Sequence, residues 1–327
     1  MNILFVNTGR MDYSQDILYA GLRASTGIGL YEYPFHKQYH LPLKPYPRNL
    51  GYVKTDPVAA FFRKIPWDDI HVVVLAACNP VVLRHYEAIA DRLPRGHRLV
   101  FVDGGDRPAV GGDFERLGGT EDFRKFSARY NIDLVFKREM LIGESYPENC
   151  RPFPFGFNTR RLQGLQPVEK KYDVSFWAVE SDPVRTRALE LLEDRFDCRE
   201  NGTVRNQVFR KYKRKGAFYL EELRACRVVL NFRGSGWDTL RYWETPAVGS
   251  FMVSQRPGIV IPNDFVPGTH IAVIDRPEEV VEVCRYYLEH PQERESMAAA
   301  AHQHLLRHHS ETARARSFLA AIRDAFG

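Results

Sequence analysis

Short apolar runs that alternate with helix-like stretches constrain the fold of this chain more than any other feature. The first half contains five such runs, at Ile3 to Val6, Ile28 to Tyr31, His71 to Ala76, Leu99 to Val102 and Leu134 to Phe136. Between several of them apolar residues recur at helical spacing, as at Ile17, Leu18 and Leu22. Parallel strands need helical crossovers of this kind, so the pattern predicts an open parallel sheet with helices on both faces.

A long connection interrupts this alternation between Tyr33 and Pro66, where prolines and aromatic residues are frequent. Its composition predicts an ordered loop with one short helix around Val58 to Lys64. Long loops of this kind in compact domains often carry function.

A second alternating series follows the proline-rich stretch Arg151 to Phe157. We predict its strands at Tyr172 to Trp177, near Phe196 to Arg199, at Val228 to Phe232, at Ser250 to Val253 and at His270 to Ile274. At 327 residues the chain is long enough for two domains of roughly 150 residues each. We therefore expect an α/β protein with two Rossmann-like domains, residues 1–157 and 158–327, whose last helix can pack back on the first domain.

The overall composition is that of an ordinary globular protein. Hydrophobic residues make up 44% of the chain and charged residues 27%, and no apolar tract approaches the roughly 18 residues of a membrane-spanning helix. The five cysteines lie far apart, without the close pairs of zinc or redox sites, so we expect reduced packing residues. The N-terminus lacks the features of a secretory signal, and we predict a cytoplasmic protein.

The formal charge of +5 is modest, but six basic residues cluster between Arg205 and Lys215. This cluster could meet phosphate, anionic lipid or nucleic acid, and a face in contact with water alone explains it equally well. We expect no nucleic-acid partner for the chain as a whole, whereas peripheral contact with a membrane is compatible with the cluster.

The most informative motif is a strand, a glycine-containing turn, a helix and a second strand. The strand is Val228 to Phe232, Gly234 and Gly236 loosen the turn, and Asp238 or Thr239 can cap the helix. A turn of this kind presents the amides of a helix N-terminus to an anion. The motif therefore predicts a phosphate site.

A carboxylate, Glu244, follows one turn further along the same predicted helix. Pro246 should kink or shorten this helix, and Gly249 should end it. The phosphate site would thus have a hydrogen-bond acceptor for hydroxyl groups beside it.

The segment Asp238 to Gly249 resembles the arginine, aromatic, glutamate, small-residue, glycine pattern of the CgeB-like group of GT-B glycosyltransferases. Three later segments are similar to the closing region of that family: Pro277 to Val281, Tyr287 to Glu295 and His309 to Arg316. The likeness covers Tyr172 to Phe326 well and the first half loosely. It implies two Rossmann-like domains that face a central cleft, with a nucleotide sugar on the C-terminal domain and an acceptor on the N-terminal one.

The resemblance also assigns a donor site. It implies that the turn binds the diphosphate, that Glu244 accepts hydrogen bonds from the ribose, and that Arg241 or Arg233 offsets the charge of the leaving group in place of a metal ion. Arg185 is a second diphosphate candidate. The predicted donor residues are Arg185, Arg233, Gly234, Ser235, Gly236, Asp238, Thr239, Arg241 and Glu244. A surface ion pair is the alternative explanation for Arg241 and Glu244, and no cofactor beyond the nucleotide-sugar co-substrate is expected.

Candidate catalytic bases come from the N-terminal half. Asp103 and Asp106 follow the strand Leu99 to Val102, so both lie where open α/β sheets bind ligands, and either could activate an acceptor hydroxyl. Turn formation competes with this role, above all for Asp106. His36 is a weaker candidate, and the segment Lys137 to Glu139 could bind acceptor charge or pair internally.

The leading hypothesis is a glycosyltransferase that moves a sugar to a glycan, a small molecule or a protein, with inversion or retention. Two alternatives stay open. One is a non-catalytic two-domain protein that binds a small ligand, and the other is an epimerase or hydrolase that acts on a nucleotide sugar.

Overall fold

The chain divides into two compact units. The computed structural model describes residues 1–175, 180–192, 195–196 and 217–327. The first unit comprises Met1–Asn158 and Glu311–Gly327, and the second comprises Thr159–Ser310. The basic cluster, Cys198 and nearly all of the strand predicted near Phe196 to Arg199 lie outside the described residues.

The first unit is built on a parallel sheet of six strands in the order β2-β1-β3-β4-β5-β6. The strands are β1 (Asn2–Val6), β2 (Gly29–Tyr33), β3 (Val72–Leu75), β4 (Arg98–Asp103), β5 (Leu134–Lys137) and β6 (Cys150–Pro152). The first five confirm the predicted strands to within two residues at either end. The strand β6 was missed because it is a three-residue edge strand that ends in proline, and such strands lack a long apolar run.

Helices cover both faces of this sheet. They are α1 (Tyr13–Ala24), α2 (Lys37–His40), α3 (Pro57–Phe61), α4 (Pro80–Glu87), α5 (Asp113–Arg116) and α6 (Thr120–Arg129), together with the last helix of the chain, α12 (Glu311–Phe326). Alternate residues of each strand enter opposite cores: Ile3 and Phe5 pack with α1 and α12, whereas Leu4 and Val6 pack with α4. Because both faces are buried, the strands are continuously apolar in sequence.

The last helix belongs to the first unit through close packing. The Phe318 ring lies 4.4 Å from that of Phe136 and 5.9 Å from that of Phe153, between centroids. Arg314 donates through Nε to the Phe155 carbonyl at 2.6 Å. Gly21 on α1 leaves no room for a side chain, since a Cβ there would collide with the carbonyl oxygen of Glu311.

The second unit contains a parallel sheet of strands in the order β10-β9-β8-β7. Its elements are β7 (Tyr172–Ser175), α7 (Pro183–Leu192), α8 (Ala217–Arg224), β8 (Cys226–Asn231), α9 (Leu240–Ala247), β9 (Phe251–Gln255), β10 (Ala272–Ile274), α10 (Val280–Glu289) and α11 (Pro291–His308). A short 3-10 turn at Pro277–Glu279 precedes α10. The doubled βαβ architecture is confirmed.

The helix α9 differs from the prediction at its start and agrees with it at its end. Thr239 occupies the predicted N-cap position, but its side chain makes no capping hydrogen bond, so the predicted capping by Thr239 is wrong. Pro246 lies in the last turn, and the helix ends one residue later. Gly249 follows with a φ of 73°, a left-handed conformation that suits glycine.

The cysteines that the structure describes are buried free thiols, at Cys78, Cys150, Cys226 and Cys284, as predicted. Among the described residues, no helix has the length and apolar character needed to cross a bilayer.

Substitution of Gly21 by alanine should destabilise the first unit. The new methyl group would meet backbone atoms of Glu311, and overpacking of this kind costs roughly 1–3 kcal/mol, more than the helix propensity of alanine returns. Gly96→Ala is the matched control because a Cβ at Gly96 meets nothing within 4 Å. Urea unfolding checks the pair, and equal stability of the two variants would contradict the close packing of α1 on α12.

Candidate functional site

The predicted phosphate-binding turn lies at the carboxyl edge of the second sheet. The strand β8 ends at Asn231, and residues 232–239 lead from it into α9. Ligands of open α/β proteins bind at this edge. Within the turn, the N–H of Gly234 donates to the carbonyl of Gly236 at 2.9 Å, and Ser235 is exposed. The amide of Gly234 is therefore engaged by the turn itself.

Arg185, near the start of α7, donates hydrogen bonds to the backbone of the turn after β8. Its Nε donates to the carbonyl of Arg233 at 2.8 Å, and its Nη2 donates to the carbonyl of Phe232 at 3.0 Å. The guanidinium lies against Gly234, where a Cβ would come within 3.0 Å of Nη2. Gly234 thus gives the arginine the space it needs to hold the backbone.

Positive charge accumulates at the same edge. Burial, and next the charge of Arg241, lower the pKa of Arg185 to about 10. Arg233 lies 3.2 Å from an oxygen of Asp182 and stands 4.4 Å from the ring centroid of Trp237. The charges of Arg185 and Arg241 repel each other, and a bound anion would relieve this repulsion by attracting both guanidinium groups.

Glu244 is a buried residue of α9, and its burial argues against a surface ion pair with Arg241. Its Oε2 accepts a hydrogen bond from the Tyr219 hydroxyl at 2.8 Å. Tyr219 belongs to α8 and also lies close enough to Arg185 to affect its pKa. Tyr219 was not predicted from the sequence, because one aromatic residue in a short helix is indistinguishable from a packing residue.

Asp238 and Thr239 hold the scaffold of the turn. Asp238 Oδ1 accepts from the indole N–H of the fully buried Trp243 at 2.7 Å. The Thr239 hydroxyl donates to Asn231 Oδ1 at 2.6 Å, and Asn231 in turn donates to the Ser254 hydroxyl at 3.0 Å. These contacts favour a structural role for both side chains over a direct role in binding the diphosphate.

In the first unit, Asp103 is fully buried at the end of β4. Its Oδ1 accepts from the N–H of Gly105 at 3.2 Å, and its Oδ2 accepts from the N–H of Gly111 at 2.7 Å. The buried Lys137 ammonium lies 3.1 Å from Oδ2 and donates to the carbonyl of Arg107 at 2.6 Å. Both oxygens are engaged by the protein, which favours a structural role for Asp103 over the predicted catalytic one.

Asp106 lies in the same loop with 35% of its side chain exposed, and it pairs with Arg138. Arg138 also lies 3.2 Å from a carboxylate oxygen of Glu139 and 4.5 Å from the ring centroid of Phe155. The segment after β5 therefore makes the internal pairs that the sequence allowed, and it holds the Asp106 carboxylate in place.

A second carboxylate, Asp12, joins this group. Asp12 caps α1 by accepting from the N–H of Gln15 at 3.0 Å. Burial raises the pKa of Asp12, the charge of Asp106 raises it further, and the bond from Gln15 and the charge of Arg138 act in the opposite direction. Asp12 was not predicted, although aspartate is one of the residues that most often cap the start of a helix.

His36, the third predicted catalytic residue, lies at the N-cap of α2 and is almost fully buried. Burial, followed by the charges of His40 and Lys37, lowers the pKa of His36 to about 4, so the ring is neutral at neutral pH. Its Nε2 has no hydrogen-bond partner among the described residues, and its ring meets that of Tyr39 edge-on at 4.4 Å.

Residues 185–320 match a protein-family model described as glycosyl transferase-like. The match begins at Arg185 and contains every predicted donor residue. No curated protein matches the chain at a significant level.

Three solved structures share the fold. HepE from Anabaena, solved with UDP-glucose, is 10% identical with a TM-score of 0.59, over 99% of this chain and 100% of that chain. Sucrose-phosphate synthase from Thermosynechococcus elongatus is 12% identical with a TM-score of 0.57, over 99% and 98%. T4 phage BGT, solved with UDP and Mn²⁺, is 13% identical with a TM-score of 0.51, over 99% of each chain.

These similarities define the class of the protein. The structures establish the fold, which is GT-B as predicted, and the family match gives the activity. The chain is a glycosyltransferase.

The depressed pKa of His36 should make the stability of the protein depend on pH. Because the folded-state pKa of about 4 lies below the ordinary value of 6.5, the unfolded chain binds more protons between these values. Stability is therefore lost as the pH falls from 6.5 towards about 4, by up to about 3 kcal/mol from this group. His36→Gln should lack this component, so its stability relative to wild type should rise as the pH falls. Thermal unfolding across this window checks the difference, and parallel curves would contradict it.

Proposed function

We propose that the protein is a CgeB-like glycosyltransferase whose second unit binds a nucleotide sugar and whose first unit binds the acceptor. The observation that carries the donor assignment is the pair of mutually repelling guanidinium groups, Arg185 and Arg241, beside the turn after β8. Neighbours in fold were solved with UDP-glucose or UDP, which makes uridine nucleotides the first donors to test.

The arginines account for departure of the leaving group. When the bond between the sugar's anomeric carbon and the phosphate oxygen breaks, negative charge grows on the diphosphate, and Arg241 and Arg185 stabilise it with Arg233 nearby. This charge supply supports our proposal that transfer proceeds without a metal ion.

Glu244 is suited to the ribose. A carboxylate accepts hydrogen bonds from two neighbouring hydroxyl groups, and the Tyr219 hydroxyl fixes the orientation of the Glu244 carboxylate by donating to Oε2. If a ribose hydroxyl were absent, the buried Glu244 carboxylate would lose a hydrogen-bond donor, which is costly. The site would therefore favour ribonucleotides over deoxyribonucleotides.

Asp12 is the base that we propose in the first unit, in place of Asp103. Its raised pKa suits a group that takes a proton from an acceptor hydroxyl, and Arg138 holds Asp106 beside it. In the proposed step the acceptor oxygen bonds to the anomeric carbon, the nucleoside diphosphate leaves, and the hydroxyl proton passes to Asp12. Direct displacement of this kind inverts the anomeric centre. The acceptor is a glycan, a small molecule or a protein that carries the attacking hydroxyl.

Removal of the Arg241 charge should weaken binding of nucleoside diphosphates. Charge-assisted hydrogen bonds contribute about 1.5–3 kcal/mol, so Arg241→Gln should raise the dissociation constant of UDP, or of whichever nucleoside diphosphate binds best, roughly ten-fold or more. Arg227→Gln is the matched control, since Arg227 is the second residue of β8, at the opposite edge of the sheet, and pairs with Asp173 at 3.0 Å. Calorimetric titration measures both, and equal affinities would contradict the donor site.

Asp12→Asn should lower turnover by a factor of roughly 10² to 10⁴ without changing nucleotide affinity, because the amide cannot take the acceptor proton. The measurement is release of the nucleoside diphosphate in the presence of an acceptor, after screens of sugars and acceptors. Asp91→Asn, in a 3-10 turn remote from this edge, is the control. Normal turnover by Asp12→Asn would exclude Asp12 as the base.

Metal independence has its own test, with wild-type protein in EDTA. We expect turnover to continue there, and its loss in EDTA with recovery in Mn²⁺ would exclude metal-free transfer.

A further inference from the structure

An exposed apolar and basic surface lies in the long connection after β2. Val58, Phe61 and Phe62 are 63%, 60% and 73% exposed. Basic residues flank them and are exposed as well. The surface, which we term the Phe61 surface, comprises Lys54, Val58, Phe61, Phe62, Arg63 and Lys64.

The backbone beneath this surface is held in place at both ends. At its start, Asp56 accepts through Oδ1 from the N–H groups of Val58 at 2.9 Å and Ala59 at 3.2 Å, and so caps α3. At its end, the Arg63 guanidinium donates to the Leu30 carbonyl at 2.9 Å and stands 4.3 Å from the Tyr31 ring centroid. The phenylalanines are therefore presented by an ordered segment.

The surface is also supported from inside the first unit. The Phe61 ring meets Phe35 edge-on at 5.2 Å, and Phe35 stacks on His40 at 5.0 Å. His40 is fixed by hydrogen bonds to Glu32 at 2.6 Å and to Thr55 at 2.8 Å. Phe62 has its ring against Phe61 at 5.2 Å and is otherwise turned to solvent, as its 73% exposure shows.

We propose that the Phe61 surface docks on an anionic lipid bilayer. Aromatic and aliphatic side chains enter the boundary between headgroups and acyl chains, and Lys54, Arg63 and Lys64 meet the negative headgroups around them. The exposed apolar area of this surface is too small for a stable interface with a protein partner. Three side chains of this size offer on the order of 400 Å², about half of what one side of a stable protein interface buries.

Vesicle binding of the full chain tests the proposal. The probes are phosphatidylcholine vesicles with and without phosphatidylglycerol, sedimented with wild type and with the Phe61→Ser/Phe62→Ser variant. We expect wild type to bind the anionic vesicles, and the variant to bind them at least about ten-fold more weakly. Lys54→Gln/Lys64→Gln should lose the preference for anionic over neutral vesicles, as should wild type in high salt.

Ile142→Ser is the matched control, because Ile142 is 65% exposed elsewhere in the first unit. Its vesicle binding should equal that of wild type. All variants should still unfold cooperatively, since the phenylalanine variant gives up one edge-on contact of Phe61 with Phe35 and the other changed side chains are exposed. Absence of wild-type binding overturns the proposal, and so does equal binding by the phenylalanine variant, which would place the contact elsewhere in the chain. Light scattering that shows wild-type dimers, and monomers of the phenylalanine variant, would make the surface a protein interface instead. Docking needs no donor or acceptor, so these outcomes are independent of sugar transfer.

Discussion

The hydrogen bonds from Arg185 to the carbonyls of Phe232 and Arg233 are the interaction on which the second unit's candidate site depends. They join the first turn of α7 to the turn after β8, and they bring a buried positive charge to the carboxyl edge of the sheet. Gly234 makes the approach feasible because it has no side chain to displace the guanidinium. A charge that is costly to bury in the free protein is thereby placed where a diphosphate would compensate it.

The first unit uses the same physical device at the equivalent edge. The buried Lys137 ammonium binds the Asp103 carboxylate and the Arg107 carbonyl, and Asp103 binds two further amides of the loop. In each unit a buried cation fixes the backbone after a central strand. The groups that we propose for chemistry lie beside these loops: Asp12 and Asp106 in the first unit, and Arg241 and Glu244, both on α9, in the second.

The fold was largely predictable because parallel strands with two buried faces are continuously apolar, as β1, β3 and β8 illustrate. Local signals from Pro246 and Gly249 also located the end of α9 to within two residues. The roles of single polar residues were harder to predict, since they depend on contacts between distant segments. Asp103 looked like a ligand-facing carboxylate until Lys137 was found beside it, and Tyr219 gained meaning only from its bond to Glu244. Asp12 had a readable capping signal, but its nearness to Asp106 and Arg138 arises from strands far apart in sequence.

The most direct test of the central claim is a crystal structure of the protein with the nucleoside diphosphate that binds most tightly. We expect a diphosphate beside Arg241 and Arg185 at the turn after β8, with the ribose hydroxyl groups within hydrogen-bond distance of Glu244. A nucleotide bound anywhere else on the chain, with this turn unoccupied, would contradict it.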